Sequence, residues 1–277
     1  MFAINKQFRA FCAALVEIVV EHKVLRIAAG LSYFLMMSIF PMLICLYNML
    51  GTMFPASEEI REFLDGLLPG ETTNMILDFL RYVSANKSNA MLFGALLVML
   101  SCSSAGYRMI DDVMGEMRGG RRYTGFWELL FSILFSIVFL AAIYLAAILI
   151  VTGKWFLQFA DSYIRFVNIS ESWAWVRFLL LFLLLFVILS LLYRFTAPRG
   201  VATRQFPGAL LAALALLVVS IVFSAMIGRS TRYPLVYGSL ASVIIMLFWL
   251  YVCGTVLFLG NAVNVALERV NPPQKHG

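Results

Sequence analysis

Residues Tyr233 to Leu267 read YPLVYGSLASVIIMLFWLYVCGTVLFLGNAVNVAL, 35 positions without an Asp, Glu, Lys or Arg. Crossing a hydrocarbon core takes about 20 helical residues. Helix is required for such a run, because an open strand would leave backbone groups unpaired in lipid. Five other charge-free stretches accompany it: Ile27–Ser57, Ser88–Tyr107, Leu129–Gly153, Phe178–Tyr193 and Gln205–Gly228. Together the six cover 151 of the 277 residues. The shortest, 16 residues, is bracketed by Arg177 and Arg194, which can snorkel outward and let it span.

The whole chain agrees with its longest run. It is 62% apolar and 13% charged, with a mean hydropathy of +0.90, where an ordinary soluble domain is about 25% charged. A soluble body of this length still turns much of its surface to water and has no place for so much apolar side chain. The same numbers exclude disorder, and four cysteines exclude a disulfide scaffold. The expected fold is an all-α membrane protein of six transmembrane helices, at about 27–54, 88–107, 129–153, 174–194, 205–228 and 238–267.

Basic residues give the orientation. The segments preceding span one, joining spans two and three, joining spans four and five, and following span six hold 13 Lys and Arg; the other side holds 8. Acidic residues divide 7 to 8, so the first side carries the whole net charge of +6. An even number of spans places both termini on that basic, cytoplasmic side, with 269–277 as a tail. The charge therefore reflects topology and anionic lipid rather than nucleic acid. The first apolar run is too long for a signal-peptide core and lacks a small-residue cleavage site, so it is expected to stay in the mature protein. Cys12, Cys45, Cys102 and Cys253 avoid the external loops, and no disulfide is expected.

Three segments read as interfacial. In 1–26, Phe8, Phe11, Cys12, Leu15, Ile18 and Val19 recur at helical spacing with Lys6, Arg9 and Lys23 near the other face, an amphipathic helix on the cytoplasmic leaflet. In the external segment 57–87, Ile60, Phe63, Leu64, Leu67 and Leu68 line one face, Pro69-Gly70 breaks the helix, and Met75, Ile76, Phe79, Leu80 and Val83 line a second. These helices form the rim of a vestibule or simply cap the bundle. The external segment 154–172, with Trp155 to Val167, leads into an aromatic belt at Trp173 and Trp175.

Polar residues inside the spans are the candidate site. Asn261, Asn264 and Glu268 fall at i, i+3 and i+7, one helical face near the cytoplasmic end. Ser101, Cys102, Ser103 and Ser104 end span two at a comparable depth, and Asn48 lies seven residues beyond Pro41 in span one. Pro41 removes a backbone hydrogen bond to Met37 and is expected to kink its helix. These groups line a hydrated path or bond helix to helix, since unpartnered polar groups are costly in lipid. Small-residue pairs at Gly238/Ser242, Gly208/Ala212 and Ser220/Ser224 allow close helix packing. Arg229 and Arg232 outside, and Arg194, Arg199 and Arg204 inside, have the donor forks for lipid headgroups or serve as topology anchors.

Asp111, Asp112 and Glu116, followed by Arg118, Arg121 and Arg122, read as a solvated loop with internal ion pairs. No buried charge pair is expected. His22 and His276 stand at opposite ends of the chain, and no P-loop, GxSxG or CxxC occurs, so neither metal, cofactor nor enzymatic activity is expected.

Several of these residues together resemble the YihY/BrkB family of bacterial inner-membrane proteins. They are Ala28-Ala29-Gly30-Leu31-Ser32-Tyr33-Phe34 with Ser38-Ile39-Phe40-Pro41, then Leu192-Tyr193-Arg194-Phe195 with Pro198 and Pro207-Gly208-Ala209. Tyr237-Gly238-Ser239-Leu240-Ala241, Trp249-Leu250-Tyr251, Leu259-Gly260 and Asn264 complete the likeness, which runs from about residue 10 to 268. It implies a six-helix inner-membrane protein from a family associated with serum resistance, transport and envelope lipid handling, and once labelled ribonuclease BN. Many members resemble Gly-Ala-Glu-x-Asn where this chain has Gly260-Asn261-Ala262-Val263-Asn264. The acidic position is Ala262, so a mechanism needing a carboxylate at that depth is not carried over.

Three functions follow as expectations. The first is a carrier or flippase for an amphiphilic, anionic, lipid-like molecule, with membrane lipids as partners. The second is an assembly partner in an envelope complex, alone or as a homo-oligomer. The third, an ion-coupled small-solute carrier, is weakened because no acidic residue lies deep in a span.

Overall fold

The computed structural model describes residues 2–50, 70–86, 88–121, 124–163, 173–198, 205–228 and 240–270. These form eight helices: α1 (Phe2–Glu21), α2 (Val24–Leu50), α3 (Gly70–Ala85), α4 (Asn89–Glu116), α5 (Phe126–Tyr163), α6 (Trp173–Phe195), α7 (Phe206–Gly228) and α8 (Leu240–Val270). There is no strand among the described residues. Four helices, α2, α4, α7 and α8, carry stretches long and apolar enough to cross a membrane, and α5 and α6 carry shorter apolar stretches.

α8 is the axis of the bundle. It packs along α2 and α7 and receives α1 and α3 near its two ends, while α4 lies on α2, α5 on α4, and α6 on α7. The core runs beside it through Leu31, Met114, Tyr193, Ala209, Phe258 and Ala262, all at most 1% exposed. Outward positions are apolar as well: Phe93 and Leu97 on α4, Ile137 and Val138 on α5, and Val218 and Ile221 on α7 are exposed. A body apolar inside and out matches lipid as its solvent.

Chain reversals bring one set of helix ends together. The close of α4, the close of α6, the start of α7 and the close of α8 meet through Arg118, Tyr193, Gly208 and Asn264. Arg118, Arg121, Arg194 and Arg269 stand at these ends. At the other end α3 lies against α2 and α8 with Thr73, Ile76, Leu77, Leu80 and Val83 buried and Asp78, Arg81 and Tyr82 exposed. Phe40 meets Phe79 edge-on at 5.1 Å, and Tyr47 donates to the Ser84 hydroxyl at 2.6 Å. The apolar face of α3 is thereby spent on the bundle.

Several boundaries differ from the sequence reading. α4 continues past Tyr107 to Glu116, so Asp111, Asp112 and Glu116 are helical rather than in a loop. Asp111 is 1% exposed, because the last turns of α4 still carry a core face of Ile110, Val113 and Met114. α5 runs unbroken from Phe126 to Tyr163, beyond the 129–153 span and into the segment assigned to the interface. α2 continues through Pro41 as one helix. α1 is more than a surface helix: Ile18 is fully buried, Phe11 and Leu15 pack on the core, and Glu17 reaches Arg269 of α8 at 3.6 Å. Phe8, Val16 and Val20 form its exposed stripe. Lys23, at φ +48°, makes the left-handed turn from α1 into α2. The helix expected over Ile60–Leu68, and the pair at Gly238, lie outside the described residues.

Candidate functional site

The polar face of α8 points into the junction of helix ends. Asn261 and Asn264 are both fully buried, and the Glu268 side chain is 13% exposed. Their surroundings divide into two parts.

The first part is the seam between α7 and α8. The opening N–H groups of any helix lack partners within it. Here Gly208 N–H donates to Asn264 Oδ1 at 2.7 Å, and Asn264 Nδ2 donates to the Gln205 carbonyl at 3.1 Å. One amide therefore caps α7 from a neighbouring helix. The two backbones come so close that a Cβ at Gly208 would overlap the Gly260 carbonyl oxygen, and one at Gly260 would overlap the Tyr193 hydroxyl. Tyr193, fully buried on α6, donates that hydroxyl to the Leu257 carbonyl at 2.7 Å. Ala262 is sealed in the same core at 0% exposure, a place where a carboxylate would lose its hydration without compensation.

The second part lies under the end of α4. Gly120 N–H closes a turn on the Gly115 carbonyl at 3.0 Å, and Gly119 takes φ +83°. A Cβ on Gly115 would meet Gly120 O at 2.9 Å, so the turn is tight enough to demand glycine there. It sends Arg118 back beneath the bundle, where its side chain is only 2% exposed. Arg118 Nη1 donates to the Tyr193 carbonyl at 3.0 Å, and Nη2 stands 3.6 Å from Glu268 Oε1. Burial pushes the guanidinium down from its ordinary pKa, while Glu268 and then Tyr193 act to hold it up. Among the described residues neither Nε nor Nη2 of Arg118 has a hydrogen-bond partner. Asn261 Nδ2 approaches the Sδ of neighbouring Met117 at 3.5 Å, a weak acceptor, and Asn261 Oδ1 has no partner among the described residues.

Arg118 is the residue that sequence reasoning missed. Its sequence context predicts ion pairs within its own segment and no buried charge pair; instead it forms one with Glu268, 150 residues away in sequence. Arg121 makes the local pairs, with Asp112 at 2.8 Å and Glu116 at 3.8 Å. Nothing in a row of three arginines marks the one that the Gly115–Gly120 turn will fold inward.

The remaining candidates do not join this cluster. Ser104 shares a 2.6 Å hydroxyl contact with Ser132 and ties α4 to α5. Ser101 is exposed and bonds its own helix at the Leu97 carbonyl, and Ser103 is half-buried. Asn48 donates to the Ile44 carbonyl at 2.9 Å towards the far end of α2, and Pro41 is half-buried. Arg194 is exposed close to the junction. Arg199, Arg204, Arg229 and Arg232 lie outside the described residues. Among the described residues no group of three or more His, Cys, Asp or Glu is placed to hold a metal ion.

Comparison with known proteins supplies relatives. A sequence model of the family described as virulence factor BrkB matches residues 15–277. The ribonuclease-like protein YfkH of Bacillus subtilis (strain 168) is 23% identical over 245 residues, covering 87% of this chain and 89% of that protein. The UPF0761 membrane protein of Vibrio campbellii (strain ATCC BAA-1116) is 25% identical over 264 residues, covering 89% of this chain and 78% of its own. The UPF0761 membrane protein Smlt0865 of Stenotrophomonas maltophilia (strain K279a) is 23% identical over 262 residues, covering 89% of this chain but 58% of its own length. No solved structure matches.

Proposed function

Because the chain belongs to the BrkB family of membrane proteins, we propose that it handles an amphiphilic, anionic, lipid-like molecule and moves it across the bacterial inner membrane. In this reading α2, α4, α5, α6, α7 and α8 all span, and the basic junction of helix ends faces the cytoplasm, as the Lys and Arg distribution requires. The observation that carries the reading is Arg118. A buried guanidinium with two donor atoms unengaged among the described residues, at the end of an apolar bundle, is suited to an oxyanion carried on an apolar tail. Glu268 stands beside it at 3.6 Å, and Asn261, in contact with Met117, would add polar lining. Arg194 and the segments holding Arg199, Arg204, Arg229 and Arg232 would offer headgroup contacts at the two membrane faces. No residue is assigned a catalytic role, and the ribonuclease-like name stays with YfkH.

A second reading, an assembly partner in an envelope complex, is favoured by Asn264 and Ser104. Both have their polar atoms engaged between helices, as a purely structural use of polar residues would have them.

Proteoliposomes with labelled phosphatidylglycerol and phosphatidylcholine separate the two. Carriage predicts faster flipping of the anionic lipid than in protein-free vesicles and loss of that acceleration in Arg118→Gln and in an Arg229/Arg232 double substitution. Folded protein without acceleration of any lipid would overturn carriage and leave the assembly reading.

A further inference from the structure

A buried polar atom without a partner costs roughly 1–3 kcal/mol, and more when charged, so proteins rarely retain one without use. Among the described residues Arg118 retains two, Nε and Nη2, on a side chain that is 2% exposed. Asn261 Oδ1, on a fully buried residue, also lacks a partner among the described residues, and the Asn261 amide touches the sulfur of Met117, the residue that precedes Arg118 in the chain. Glu268 supplies countercharge at 3.6 Å, too far for a hydrogen bond. The positive centre is neutralised but its donors are not filled.

We propose that Arg118, Asn261 and Glu268 form a phosphate-ester seat in which the Glu268 carboxylate is a built-in stand-in for the ligand. The incoming oxyanion takes Nε and Nη2 of Arg118 side by side, the edge-on geometry that a guanidinium offers a phosphate. Glu268, near the last turn of α8 and partly exposed, is repelled by the arriving charge and moves out toward water. Asn261 Oδ1 accepts a hydrogen bond from a hydroxyl or amine on the ester. The preferred ligand is therefore a phosphate ester bearing a hydrogen-bond donor, and a quaternary ammonium ester lacks that donor. Nη1 remains on the Tyr193 carbonyl and keeps the guanidinium oriented throughout. The inference rests on the anionic-lipid reading above and names the chemistry of its headgroup and the residue that competes with it. A lipid headgroup and free phosphate share that chemistry.

The test is binding, measured apart from transport. Full-length protein in phosphatidylcholine nanodiscs is titrated with inorganic phosphate by calorimetry, and phosphatidylglycerol retention is compared with phosphatidylcholine retention by native mass spectrometry. Selective retention of phosphatidylglycerol assigns the seat to a lipid headgroup, and calorimetric binding of phosphate assigns it to the free ion. Either signal must fall at least about tenfold in Arg118→Lys, which keeps the charge and loses the fork. Glu268→Gln is expected to tighten binding by about tenfold, because the competitor is gone. A merely structural ion pair predicts the opposite: lower thermal stability in Glu268→Gln with no gain in affinity. If Glu268→Gln does not fold, Glu268→Asp, which shortens the carboxylate's reach, is read for the same gain. Absence of both ligands from folded wild-type protein, or unchanged affinity in the Glu268 variants, overturns the seat. Binding without translocation would sink the carrier reading alone, and translocation without Arg118-dependent binding would sink the seat alone.

Discussion

Asn261 and Asn264 sit one helical turn apart on α8, both fully buried, and they do opposite things. Asn264 spends its amide on the start of α7, taking the Gly208 N–H and giving to the Gln205 carbonyl. Asn261 has a methionine sulfur on one side and no partner for its oxygen. The seam beside Asn264 is closed in every sense, with glycine against glycine and the Tyr193 hydroxyl pinned at the gap. The space under α4 holds a guanidinium whose charge is met and whose hydrogen bonds are not. Burial alone, then, does not separate glue from site in this bundle. Satisfaction is what differs: the engaged amide ties α7 to α8, and the other leaves its oxygen without a partner among the described residues.

Breaking the seam should have the largest effect. Gly208→Val drives a branched side chain into the Gly260 carbonyl, a backbone atom unable to move without shifting α8. The expected loss is about 4 kcal/mol or more, since the strain of overpacking adds to the lost cap, and no folded protein should be recovered in detergent. Asn264→Leu comes next. It leaves the Gly208 N–H and the Gln205 carbonyl without their shared partner, and the expected cost is about 2–4 kcal/mol, read by chemical denaturation in micelles. The same substitution one turn earlier tests the contrast. Asn261→Leu removes an unpartnered oxygen and only a weak bond to the Met117 sulfur, so stability should change by less than about 1 kcal/mol, or rise, while anionic-lipid flipping in proteoliposomes is lost. Equal destabilisation by the two leucines would erase the distinction between the regions.

Two smaller changes sharpen it. Tyr193→Phe deletes the hydroxyl that bonds Leu257 but keeps the ring and the carbonyl that orients Arg118; a loss of about 1–1.5 kcal/mol with lipid binding intact is expected. Ser104→Ala removes one side of the hydroxyl pair between α4 and α5. Because Ser132 also bonds the Leu129 carbonyl, the cost should stay below about 1 kcal/mol, the usual scale of a polar contact between membrane helices.

Much of the junction was legible from residue spacing. The placement of Asn261, Asn264 and Glu268 on one face follows from helical period alone, and all three do face the helix ends. The small residue at 208 also announced a close approach. Arg118 was not legible, because its neighbours Asp112 and Glu116 offered local partners that Arg121 took instead. Tyr193 read as one aromatic among many, and its part in the junction depends on Gly260, a residue of another helix.

The sequence by itself determined that this chain is a membrane protein built of long apolar helices. Charge-free runs of such length have no stable alternative to helix in lipid, whatever their packing. Only the tertiary structure decided which polar residues are satisfied. That depends on helices far apart in sequence approaching to hydrogen-bond distance: Asn264 reaches Gly208, and Arg118 comes to Glu268 yet stops short of a bond. Hydrogen bonding falls away within a few tenths of an ångström. Patterns of residue type carry no such precision, so the line between a fully engaged asparagine and a partly engaged one is drawn by packing alone.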